Sequence, residues 1–150
     1  MKRILLSLLV MGLSLFAGEF KIGDKIGSFS MLNQHDHKVT IDDNVTKILV
    51  SAQKDTSADI NDYLNKKSKM FLKNKHAVFI ANISGMPSII TKMFALPKMR
   101  KYNHDVLLVY DSEDNRFVFK DDMSTLYTLE NGVIKDISYF TKADLDNIFR

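Results

Sequence analysis

The chain has 150 residues, 45% hydrophobic and 26% charged, with a formal charge of +3 and no cysteine. That balance fits one globular domain with a real core, and so small a net charge argues against a nucleic-acid partner. Without cysteine, disulfides and thiol catalysis are excluded in any compartment.

Residues 1–18 read as a signal peptide. Lys2 and Arg3 form a short basic start, and Ile4 to Phe16 is apolar apart from Ser7, Gly12 and Ser14. The apolar run is short for a bilayer span, and the small Ala17 and Gly18 suit cleavage. An uncleaved N-terminal anchor is the alternative, and Leu15 is large for its place before the cleavage point. The expectation is a mature domain over 19–150 in the bacterial periplasm, with no stable membrane insertion once the leader is removed. Loss of Lys2 and Arg3 lowers the formal charge from +3 to +1.

The mature chain opens on a glycine-punctuated segment, 20–27. Ser28–Leu32 and Val39–Ile41 flank the turn cluster Asn33–Lys38 and predict a hairpin. Thr46–Ala52 predicts a central strand. Thr56 and Asp59 have the spacing of a weak capping box, so a helix is expected over 57–74. Its inner stripe is Ile60, Tyr63, Leu64 and Phe71. His76–Ile83 is apolar on both faces, as in a parallel strand covered by helices. Gly85, Met86 and Pro87 open a second helix with Pro87 in its first position. Ile89, Ile90, Met93, Phe94 and Leu96 are expected on its buried face, and Pro97 is expected to end the continuous helix, with a short turn through Tyr102 as the alternative. Val106–Tyr110 predicts a third strand, and Asp111–Asn115 a charged turn. Arg116–Lys120 reads equally as strand or helical turn. Asn131-Gly132 between Thr125–Leu129 and Val133–Ser138 is a strong hairpin signal. Thr141 and Asp144 cap a last helix with Leu145, Ile148 and Phe149 inward. Strands alternating with helices, then a hairpin, predict an α/β fold with a mixed central sheet in a three-layer α/β/α sandwich.

Ile22-Gly23-Asp24, Phe29–Leu32, His37–Ile41 and Lys47–Val50 resemble the opening of peroxiredoxins and TlpA-type thioredoxin-like proteins. Ser124–Lys135 and the residues to Ile148 resemble the closing hairpin and helix of thioredoxin. Asp55–Asp59, Gly85–Met86, Tyr110–Ser112 and Leu129–Gly132 resemble the cysteine-free periplasmic proteins of the YtfJ type. The resemblance spans nearly all of 20–150. It implies a thioredoxin-like domain with two departures. The reactive cysteine would fall near Ser57 and its resolving partner near Ile60. Met123-Ser124-Thr125 stands where thioredoxins have a cis-proline loop, so a trans bond is expected there. The reading is a redox-inactive binding or accessory protein with no cofactor, meeting a periplasmic protein partner. The contact surface would be the rim of the lost site: Asp55, Thr56, Ser57, Gly85, Met86, Met123, Ser124 and Thr125.

Two other chemistries compete. Ser57 could serve a non-thiol enzyme if folding brought His76 or His104 beside it as a base. His35 and His37 could converge on a metal, but zinc needs three or four ligands and a solvated turn explains them as well. Asp111–Asn115 fails the calcium-loop pattern, having Glu113, Arg116 and Asp122 at key positions. Lys92, Lys98, Arg100 and Lys101 form a basic patch around Pro97, with Phe94 and Tyr102 interleaved, suited to an anionic surface or acidic partner.

Overall fold

A computed structural model of the chain describes residues 18–150. The leader read over 1–18 lies outside them, save residue 18. Strands β1 (Phe29–Leu32) and β2 (Lys38–Ile41) pair antiparallel as the expected hairpin. The second sheet has five strands in the order β5-β4-β3-β6-β7. Its members are β3 (Lys47–Ser51), β4 (Ala77–Asn82), β5 (Leu107–Val109), β6 (Ser124–Glu130) and β7 (Val133–Phe140). Strands β3, β4 and β5 run parallel, while β6 and β7 are antiparallel. Asn131 and Gly132 form the two-residue turn of the last hairpin, both at positive φ (51° and 77°). A Cβ at position 132 would run into the Asp43 carboxylate, so only glycine fits.

Successive side chains of a strand point to opposite faces. Leu49, Phe79 and Ala81 therefore join one apolar cluster, with Ile60, Leu64, Leu72, Leu96 and Leu145 from the helices. Ile48, Val50 and Ile80 join the other, covered by Met31, Ile41, Phe117 and Tyr127. The hairpin thus closes the face that the helical cluster leaves.

Helix α1 (Lys54–Asn65) starts three residues before the expected position, and Thr56 does not cap it. Gln53 takes the extended cap position, and the Thr56 hydroxyl, already inside the helix, donates to the Gln53 carbonyl at 3.1 Å. The expected single helix over 57–74 is broken after Asn65, and α2 is only Phe71–Asn74. Past that break the Asn103 side-chain amide donates to the Lys67 carbonyl at 2.8 Å, satisfying a backbone group that a continuous helix would have bonded. At the other end of the chain the capping box forms as expected. The Asp144 carboxylate accepts the Thr141 N–H at 2.9 Å, opening a 3₁₀ turn (Lys142–Asp144) that leads to the terminal helix Leu145–Ile148.

The helical run over 88–99 (α3) corrects three expectations. It continues past Pro97 because residues Thr91–Ala95 form a π-turn, in which the Leu96 N–H reaches the Thr91 carbonyl five residues back. The wider turn replaces the regular spacing just where Pro97 lacks an N–H. Pro87 is the cap, not the first helical residue. The expected inner face also points out: Ile89, Ile90, Met93 and Phe94 are 62%, 41%, 62% and 63% exposed. Of the expected inner residues only Leu96 is buried, joined by Thr91. Arg116–Lys120 is neither strand nor helix. It is an extended loop pinned by side chains, with the Tyr127 hydroxyl accepting the Val118 N–H at 2.8 Å.

The turn read as solvated holds a buried anchor. Gln34 has no exposed surface. Its amide donates to the His104 carbonyl at 2.7 Å and to that of Met99 at 3.3 Å, and its Oε1 accepts the Val106 N–H at 2.8 Å. The hairpin is thereby fastened to the segment entering β5. Gln34→Ala would orphan a buried N–H and a buried carbonyl, costing about 2–4 kcal/mol. Urea unfolding checks this: the midpoint should fall with an unchanged slope, and an unmoved midpoint would refute the anchor.

Candidate functional site

The C-terminal end of β3 and the start of α1 form the junction at which this topology would hold a thiol. Ser51, the last residue of β3, is fully buried and needs a partner. It finds one in Ser57, with the two hydroxyl oxygens 2.5 Å apart. The Gln53 side-chain oxygen accepts the Asp122 N–H at 2.7 Å and ties the loop before β6 to the helix start. Thr125 lies opposite Val50, is fully buried, and donates its hydroxyl to the Val118 carbonyl at 2.6 Å. No cis peptide bond occurs among the described residues, so Met123–Ser124 is trans.

The expected rim therefore divides. Asp55 and Gly85 are exposed, and Thr56, Ser57, Met86 and Met123 are half-buried. Ser124 and Thr125 are turned into the protein. What remains open is a shallow surface whose polar groups largely satisfy one another.

Neither histidine proposed as a base meets Ser57. The His104 ring lies 2.8 Å from Asn61 Oδ1 through Nε2 and 3.2 Å from Asn103 Oδ1 through Nδ1, and as a neutral ring it has one N–H and donates to only one of them. His76 precedes β4, at the opposite end of the sheet from Ser51, which is paired with Ala81. Burial pushes the His104 pKa down to about 4, opposed by the nearby Asp105 carboxylate. Its ring is thus a neutral, structural hydrogen-bonding group near pH 7. The His104–Asn61 pair joins residues 43 apart in the chain, and no local pattern announces it.

His35 and His37 lie with ring centroids 6.0 Å apart on an exposed turn. Among the described residues no group of three or more His, Asp or Glu side chains could hold a metal. In the charged turn after β5, Asp114 is taken up by Arg116 at 2.7 Å. The basic patch also divides. Lys92, Lys98 and Lys101 are exposed, whereas Arg100 donates to the Gln34 carbonyl at 2.8 Å and pairs with Asp36 at 3.5 Å.

Open volume lies elsewhere. A cleft of about 800 Å³ runs between the hairpin, α2 and the start of β4. Val39, Val45, Met70 and Val78 give it apolar walls, and Lys69, Lys73 and His76 stand along it. A smaller cleft beside it is lined by His35, His37, Tyr102 and His104. Sequence reasoning missed both, because they form between segments far apart in the chain. The larger volume falls within the range of small-molecule pockets.

The sheet order, with a helix after the central strand and a closing antiparallel hairpin, defines a thioredoxin-like α/β fold: a mixed five-stranded sheet with flanking helices and an N-terminal hairpin. Solved structures agree. The peroxidoxin BcpB of Mycobacterium tuberculosis superposes with a TM-score of 0.52 at 9% identity, over 87% of this chain and 94% of that one. The thioredoxin domain of a thiol-disulfide oxidoreductase from Bacteroides vulgatus gives 0.52 at 12% identity, over 86% and 95%. A DsbE-like thiol:disulfide interchange protein from Chlorobium tepidum gives 0.53 at 15% identity, over 86% and 93%. At such identities the likeness is one of fold. No family model matches the chain, and no curated protein matches it. The fold is thus that of thiol enzymes, in a chain with no thiol.

The pH dependence of stability tests the assignment of His104. Its folded pKa of about 4 lies below the ordinary 6.5, so the unfolded chain takes up this proton first. The contribution is complete above pH 6.5 and is lost as pH falls toward 4. Across that window His104→Gln should flatten the loss by ~2 kcal/mol relative to the parent, as read by denaturation at each pH. Identical slopes would contradict the burial of a neutral ring.

Proposed function

We propose that this is an exported, redox-inactive thioredoxin-like domain of the YtfJ type, working as a binding or accessory protein in the bacterial periplasm. One observation carries the reading: the junction built for a thiolate is closed by a serine–serine hydrogen bond. A hydroxyl cannot cycle between thiol and disulfide, and without a base it is a weak nucleophile. The basic, apolar leader pattern supports export. The partner, a periplasmic protein, meets the open part of the rim: Asp55, Gly85 and the half-buried Thr56, Ser57, Met86 and Met123.

The cleft supports a second reading, a carrier of small molecules. Its apolar walls, with Lys69 and Lys73 and also Asp42 and Asp105 among the lining residues, suit a small amphipathic molecule with polar ends of both signs. Photo-crosslinking in the producing cell separates the two. A photoreactive residue at position 55 should capture a discrete protein, while one at position 73 should not. A small-molecule adduct at 73 alone would move the function to the cleft. No adduct from either position would overturn the binding reading.

A further inference from the structure

The outer face of α3 is the most unusual surface among the described residues. Ile89, Ile90, Met93 and Phe94 recur at four-residue spacing, share one face, and stand 41–63% exposed. The opposite face is fixed: Leu96 is buried in the helical cluster, with Met86 and Met99 packed against it. The apolar face therefore cannot turn inward without unpacking the core. Along the same run Lys92, Lys98 and Lys101 are exposed. From residue 84 to residue 104 the chain has four Lys or Arg and no Asp or Glu, and of the four Arg100 is paired with Asp36.

We propose that this face docks on an anionic lipid surface. An apolar stripe flanked by lysines is the chemistry of a helix lying in a bilayer interface, with hydrocarbon side chains below the headgroups and ammonium groups among them. Charge decides between occupants. A second copy would set Lys92, Lys98 and Lys101 against their own like charges, which disfavours a symmetric pair. The four apolar side chains are 41–63% exposed and line neither of the two clefts described, so a fluid surface accommodates them without shape matching. Contact of this kind is peripheral: among the described residues no helix is long and apolar enough to cross a membrane.

Flotation with vesicles tests the proposal, using the protein as isolated from cells and variants that carry the same N-terminus. Vesicles rich in phosphatidylglycerol should bind it at least about tenfold more tightly than pure phosphatidylcholine, and less so at high salt. The double variant Ile89→Ser, Phe94→Ser should lose about tenfold or more on anionic vesicles. Lys92→Glu with Lys98→Glu and Lys101→Glu should abolish the preference for anionic lipid while leaving the apolar face intact. Circular dichroism identifies a misfolded variant, in which case the other set decides. Absent or lipid-indifferent binding by the parent overturns the proposal. So does undiminished binding by a folded apolar variant. A concentration-dependent dimer lost in the apolar variant, without vesicle binding, would assign the face to a second copy; binding to an acidic protein but not to vesicles would assign it to a protein partner.

Discussion

The fold depends on burial of β3 from both sides. Ile48, Leu49, Val50 and Ser51 are at most 1% exposed, and the strand lies between parallel β4 and antiparallel β6. Leu49 anchors the helical cluster, and Ile48 and Val50 anchor the cluster under the hairpin. With no disulfide available, these contacts carry the stability, at about 1.5–3 kcal/mol for each large apolar side chain fully removed from water. The same burial governs the one short polar residue in the strand. Ser51 sits where water cannot reach it, so it must bond within the protein, and α1 presents Ser57 for that purpose.

That local requirement has a functional consequence. No cysteine is available here, and the short polar side chains of the junction bond to one another. Gln53 holds the loop before β6, Thr125 is spent on the Val118 carbonyl, and Ser57 on Ser51. Polar groups that would face a substrate face one another. Open volume and exposed apolar surface lie elsewhere, in the cleft beside α2 and on the outer face of α3.

Much of this was legible in the sequence where the determinant is local. Ile48–Val50, the double-sided apolar run of β4, Asn131-Gly132 and the Thr141–Asp144 box each specify their element through nearest neighbours. What was not legible depends on packing between distant segments. Periodicity placed Ile89, Ile90, Met93 and Phe94 on one face correctly, but it cannot say whether that face turns in or out. Gln34 reads as part of a polar turn, yet it is buried by partners at positions 99, 104 and 106. Thr56 has the composition of a cap, but Gln53 occupies the extended position first. For the candidate site, the missing thiol was evident from composition. The closure of Ser57 on Ser51 and the diversion of His104 to Asn61 needed coordinates.

The central claim is that the junction is a joint without chemistry. The most direct measurement is covalent labelling with a serine-directed fluorophosphonate, followed by mass spectrometry of the intact protein and of the peptide bearing Ser57. A hydroxyl bonded to Ser51, with neither His76 nor His104 to activate it, should remain unlabelled in the folded protein. Stoichiometric labelling at Ser57 would contradict the account and restore the junction as an active site.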